Sequence, residues 1–210
     1  ERDGKVGDSV SGIGAATYTW TVPATANIIS GQGTTNLNVT FPSGSSGNIT
    51  FTGGNSCGSS AQGTFSVTVN PLPTATITAN PLSAVICSGE ITTLTASGGA
   101  TYMWNPGGQT TTSIIVNPTS NTTYTLTASS NGCSGSTTQT VTVNVLPTPT
   151  IIVSPSSAVI CNGDIATLTA SGGATYMWNP GGQTTTSIFV NPSSNTTYTL
   201  TATTNGCSGS

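Results

Sequence analysis

Apolar residues alternate with threonine, serine and asparagine along nearly every segment of this chain, and that period of two predicts half-buried β-strands. Between positions 72 and 146 the alternation predicts strands over 74–79, 91–97, 101–105, 110–117, 122–129 and 137–145. Gly98-Gly99 and Pro106-Gly107-Gly108 bound the third of these, and Asn131-Gly132 separates the last two. No segment carries a helical period. Six or seven short strands with a turn about every ten residues predict a β-sandwich.

Parity assigns the core. Tyr102 and Trp104 share one strand face, Tyr124, Leu126 and Ala128 another, and Val141, Val143 and Val145 a third, while Thr123, Thr125 and Thr127 point away. Met103 and Met177 take the outward parity. In the first seventy residues Tyr18, Trp20 and Val22 share a face, as do Leu37, Val39 and Phe41, and Ile49 with Phe51 and Phe65 with Val67 and Val69 continue the pattern.

The pattern is written twice. Leu72 to Ser136 aligns without a gap on Leu146 to Ser210, and Thr93 to Ile114 is identical to Thr167 to Ile188, a tandem period of 167 − 93 = 74. Each copy opens with Leu-Pro-Thr, a stiff linker sequence in which proline fixes φ and removes a ladder donor. The expected domains are 1–70, 71–146 and 147–210, an all-β array of sandwiches in series. The first is expected to be incomplete at its start and the third to lack a counterpart of 137–145. The repeated block reads as a central strand, with Trp20, Trp104 and Trp178 as core plugs beside Tyr102, Tyr176, Tyr124 and Tyr198. A sugar-stacking platform is the rival role for these aromatics.

Charge narrows the function. Only 3% of the 210 residues are Asp, Glu, Lys or Arg, and both basic residues, Arg2 and Lys5, lie in the first five positions. Nothing in that composition can neutralise a run of phosphates, which excludes nucleic acid as a partner and leaves anionic membranes unattractive. No run approaches the length of a membrane helix, so no membrane insertion is expected in this segment. Threonine outnumbers the 26 glycines, so solubility rests on hydroxyls and amides.

The same inventory leaves little for catalysis. There is no His for a Ser-His-Asp arrangement, and Glu90 and Asp164, equivalent at 164 − 90 = 74, are single carboxylates read as solvated turn residues. The chain is therefore expected not to be an enzyme and to need no cofactor. Five cysteines remain. Cys87 and Cys133 recur as Cys161 and Cys207, so one disulfide per repeat is the economical reading, with Cys57 left over. Zinc is the alternative, but it lacks His ligands and close Cys pairs here. Closing a loop of 133 − 87 = 46 residues contributes about 4 kcal/mol in the chain-entropy model. Disulfides place the chain in an oxidising, extracellular or cell-surface compartment.

Two stretches carry a family resemblance. "ATYTWTVPATANIISGQGTTNLNVTF" with "GNITFTGGNSCGSS" and "FSVTVNPLPT" resembles the PKD-like domains of very large surface proteins of Bacteroidota. The segment from "VICSGEITTLTASGGATYMWNPGGQTTTSIIVNPTSNTTYTLTASSNGCSGS" through "VNVLPTPT" resembles the bacterial Ig-like repeats found beside them. The resemblance implies export by the type IX secretion system and roles as adhesins, stalks or spacers. It also implies disulfides pairing Cys87 with Cys133 and Cys161 with Cys207, which by these strand limits flank the second and sixth strands. Calcium binding through clustered Asp does not carry over, because acidic residues are sparse. Asp8-Ser9-Val10 resembles a short O-glycosylation acceptor, with Ser9 as the candidate.

Three functions fit. The first is the stalk of a secreted or cell-surface adhesin, whose partners are neighbouring domains of the same or adjacent chains and surface glycans. The second is a fibre subunit assembled by β-strand addition. The third is a carbohydrate-binding module using exposed Tyr, Met or Trp.

Overall fold

The computed structural model describes residues 4–9 in backbone and residues 16–42 and 45–210 with their side chains. Every regular element described is a β-strand. The chain divides into two compact units, residues 1–74 with 128–135, and residues 75–127 with 136–210.

In the first unit, β1 (Gly4–Ser9), β4 (Asn36–Phe41) and β3 (Asn27–Ser30) form one antiparallel sheet. The other joins β2 (Thr17–Thr21) to one edge of β5 (Gly47–Asn55), with β6 (Gly58–Ser59) and β7 (Gly63–Val67) following each other along the opposite edge. Strict alternation in β4 sends Leu37, Val39 and Phe41 into a core with Tyr18, Trp20, Ala26 and Ile49. Val22, Phe51, Val67 and Val69 pack on its margin. Phe65 departs from the expected pattern: it pairs with buried Ile49, yet its ring is exposed because β7 is bonded on one side only. Residues 10–15 lie outside the description. Ser9 ends β1 opposite Asn36, and its side chain lies outside the described residues.

The second unit holds two sandwiches. In one, the sheet β12–β10–β8 (Ser113–Val116, Thr92–Ser97, Thr76–Asn80) faces β11–β13–β14–β9 (Thr101–Asn105, Thr122–Ser130, Cys133–Asn144, Val85–Cys87). Their inner faces bury Leu94, Trp104, Tyr124, Leu126 and Val141, each removal from water stabilising by about 1.5–3 kcal/mol. Strand β9 was not expected. It is three residues long and runs parallel to the end of β14, Val143 beside Ile86 and Asn144 beside Cys87. The turn end of hairpin β13–β14, residues 128–135, is grouped with the first unit. Val145, assigned by parity to the core, is 80% exposed because β14 stops one residue before it.

The other sandwich repeats the plan 74 residues on, with β15 (Thr150–Ser154), β16 (Ala166–Ser171) and β18 (Ser187–Val190) opposite β17 (Thr175–Asn179), β19 (Thr199–Thr204) and β20 (Cys207–Gly209). Leu168, Trp178, Ile188 and Leu200 fill its core. Residues 159–161, the counterpart of β9, form no strand.

Candidate functional site

All three aromatic strands end in the same anchor. Trp104 is fully buried, and its indole N–H donates to Thr111 O at 2.9 Å; Trp178 does the same to Thr185 O at 2.9 Å. Around each, the chain turns back through two glycines. Trp104 N donates to Gln109 O and Gly108 N to Trp104 O, a turn that needs positive φ at Gly107 and Gly108. The first unit reaches the same end with a side chain: Gln32 accepts from Trp20 N and donates to Trp20 O, while Trp20 Nε1 donates to Thr34 O at 2.9 Å. Tyr102 and Tyr176 are half-buried and donate to Gly99 O and Gly173 O. Tyr124 is buried and Tyr198 half-buried. None of the three indoles lines a cleft, which removes the tryptophans as a sugar platform. Met103 and Met177 are exposed.

The cysteines are arranged differently from the expectation. Cys87 is bonded to Cys207, with Cα atoms 5.6 Å apart at a sequence separation of 120, while Cys133, Cys161 and Cys57 are free. The assignments Cys87 with Cys133 and Cys161 with Cys207 are therefore corrected. Strand geometry supplies the reason. Cys133 begins β14 and Asn144, beside Cys87, ends it, so 144 − 133 = 11 strand residues separate Cys133 from Cys87's neighbour. At the rise of an extended strand that is about 36 Å, far beyond the reach of a disulfide.

Cys207 comes within reach because it sits just after a hairpin turn. Asn205-Gly206, like Asn131-Gly132, takes positive φ at both positions, the demand of a two-residue hairpin. The turn of the third sandwich thus meets the Cys87 end of the second. Asn144 fastens the same place: its side-chain amide donates to Asn205 O at 3.0 Å, and its own carbonyl lies 3.9 Å from Cys207 Sγ and accepts from Ser88 N. Within the first unit the motif recurs, Asn70 donating to Asn131 O at 2.9 Å and the Cys133 thiol donating to Asn70 O at 3.6 Å. These asparagines were overlooked in the sequence. Their signal was present in Asn70-Pro-Leu-Pro-Thr and Asn144-Val-Leu-Pro-Thr, where asparagine stands just before the linker.

Glu90 and Asp164 close turns beside the cysteines, Glu90 Oε2 accepting from Cys87 N at 2.9 Å and Asp164 Oδ2 from Cys161 N at 3.2 Å. Cys57 follows a comparable turn in the first unit, its N–H donating to Asn55 Oδ1 at 2.8 Å. Among the described residues no three of His, Cys, Asp and Glu are grouped to hold a metal ion, and no helix is long and apolar enough to cross a membrane.

The described residues thus form serial β-sandwiches, each closed over an indole, two of them fastened by a disulfide at their junction. Residues 9–69 match the family model for a PKD-like domain. Among solved structures, the chain is similar to the I-band fragment I67–I69 of titin, at 12% identity over 99% of this chain and 89% of that one with a TM-score of 0.45. It is also similar to the mouse nectin-like molecule 4 ectodomain Ig1–Ig3, at 12% identity over 98% and 90% with a TM-score of 0.38. The chicken CNTN1 FN1–FN3 domains match at 13% identity over 100% and 92%, with a TM-score of 0.33. The search of curated proteins returns no match.

Proposed function

We propose that this chain is a stretch of the stalk of a secreted or cell-surface adhesin, a spacer that carries position and load and performs no reaction. The observation that carries this reading is the Cys87–Cys207 bond. A disulfide inside one sandwich protects that sandwich alone, whereas one that joins consecutive sandwiches restricts the linker between them. It fits an extracellular, oxidising location. The resemblance of the repeats to those of Bacteroidota surface proteins supports export by the type IX system, with neighbouring domains and surface glycans as partners. Buried indoles weigh against a carbohydrate-binding module built on tryptophan.

Single-molecule extension of the chain tests this. Cys87 and Cys207 are separated by 120 positions, a length of chain that the intact bond withholds from extension. Reduction should release about 430 Å of contour length at the extended-chain limit of ~3.6 Å per residue. Equal extension with and without reductant, or saturable binding of a defined soluble glycan by this stretch alone, would rule the spacer reading out.

A further inference from the structure

The joint around Cys207 is drawn twice in the chain, once with a disulfide and once without. Inside the second unit Asn144 donates to Asn205 O, and the linker Pro147-Thr148-Pro149 lies against the third sandwich. Two glycines admit it. A side chain at Gly209 would collide with Pro147 O, and one at Gly172 with Thr148 O. Gly172 also holds φ at +88°, a conformation that favours glycine. Gly209 stands two residues after Cys207 in β20, so the linker dock and the sulfur share one strand face.

Within the first unit the same parts meet, each 144 − 70 = 74 positions earlier. Asn70 donates to Asn131 O, and a side chain at Gly135 would collide with Pro73 O. Cys133 stands where Cys207 does in the repeat, yet it is a free thiol that donates to Asn70 O. Asparagine, glycine and proline thus come together there with no sulfur bridge to hold them. The non-covalent part of the joint is therefore complete without oxidation, and the disulfide is an addition to it.

We propose that the joint between the second and third sandwiches closes by itself on Asn144, Gly172 and Gly209, and that the Cys87–Cys207 bond is a redox lock templated by the closed joint. On a flexible linker Cys207 would meet Cys87 only as often as a loose tether allows; the dock holds it in place and raises that encounter. Locking needs an oxidant, and a small-molecule disulfide such as glutathione disulfide supplies it. The Cys87 thiolate, the more exposed of the pair, attacks one sulfur of that disulfide and expels a glutathione thiolate. The Cys207 thiolate then attacks the Cys87 sulfur and expels the second glutathione. Two protein thiols are oxidised, one glutathione disulfide is reduced, and the two glutathione thiolates take up the two protons. Reduction runs the exchange backwards and leaves the joint closed but unlocked. The proposal concerns how the joint assembles and holds, and it does not depend on the stalk reading.

The test uses the full 210-residue chain carrying Cys57→Ser, Cys133→Ser and Cys161→Ser, which leaves one pair of thiols. Equilibration with reduced and oxidised glutathione, then acid quenching and mass analysis, gives the effective concentration of Cys87 and Cys207 for each other. Gly209→Val should lower that value by about tenfold or more, and Asn144→Ala should lower it in the same direction. Circular dichroism checks folding, and Gly209→Ala takes the place of Gly209→Val if the latter fails to fold. Closure without the lock is read separately. Met103 and Met177 are exposed, one on each sandwich, so spin labels at Met103→Cys and Met177→Cys report the distance between the two. With Cys87→Ser and Cys207→Ser added, the distance distribution should stay as narrow as in the locked protein, and Gly209→Val should broaden it. An effective concentration unchanged by the Gly209 substitution, or a distribution that broadens as soon as the disulfide is removed, would each overturn the proposal.

Discussion

Asn144 donates its side-chain amide to the carbonyl of Asn205, 61 residues further on and in the next sandwich. The acceptor is a turn carbonyl held by positive φ at Asn205 and Gly206, so the geometry is set on both sides before the bond forms. Beside it lies the Cys87–Cys207 disulfide. Asn144→Ala should destabilise the second unit by about 1 kcal/mol, the ordinary net value of one such hydrogen bond. The loss should be larger after reduction, because the disulfide otherwise holds the turn in place. Denaturant melts of both proteins, oxidised and reduced, check this; equal losses in the two states would show that the clasp and the amide act independently.

Thiol mapping distinguishes the present pairing from one inside each repeat. Digestion without reduction should release a linked pair containing Cys87 and Cys207. Alkylation of the folded protein should modify Cys57 and Cys161 quickly and Cys133, half-buried on Asn70 O, more slowly. Cys207→Ser should then lower stability by up to about 5 kcal/mol in the chain-entropy model for a loop of this length. Recovery of a Cys87–Cys133 peptide would contradict the strand geometry.

Much of the fold is legible in alternation, and the reason its exceptions are not is physical. Strand β11 spans the expected 101–105, and β10 and β13 fall within one residue of theirs, because five to nine residues of period two define a face locally. Strand β9 has three residues and owes its existence to a partner more than fifty positions away, so no local pattern marks it. Phe65 has the right parity and the wrong neighbour count. The disulfide illustrates a different limit. A period of 74 relates Cys133 to Cys207, so repeat spacing is equally consistent with Cys87 pairing inside its own copy or in the next. Only the length and direction of β14 separate the two.

Tryptophan burial makes its own forecast. Trp104 and Trp178 are fully buried with their N–H groups bonded, so their emission should be blue-shifted and resistant to iodide. Trp104→Ala should cost about 3–5 kcal/mol, in the range for removing a buried aromatic side chain. Trp104→Phe should restore most of the volume and leave Thr111 O without its donor, a smaller loss of about 1–3 kcal/mol. Urea melts followed by circular dichroism measure both. A loss for Trp104→Ala below about 1 kcal/mol would mean that the indole is not a core anchor.

Burial raises the Tyr124 phenol above its ordinary value of 10.0, and the direction fixes how stability responds to alkali. The unfolded chain releases this proton near pH 10, whereas the folded chain retains it to higher pH. The contribution from the protonated phenol is thus fully present below about pH 10 and is lost as pH rises through the folded pKa. Melting temperatures should be flat through neutral pH with respect to this group and fall above pH 10. Tyr124→Phe, which keeps the ring in the core without an ionisable hydroxyl, should reduce that fall. An alkaline decline identical in the wild-type and Tyr124→Phe proteins would assign it to other groups.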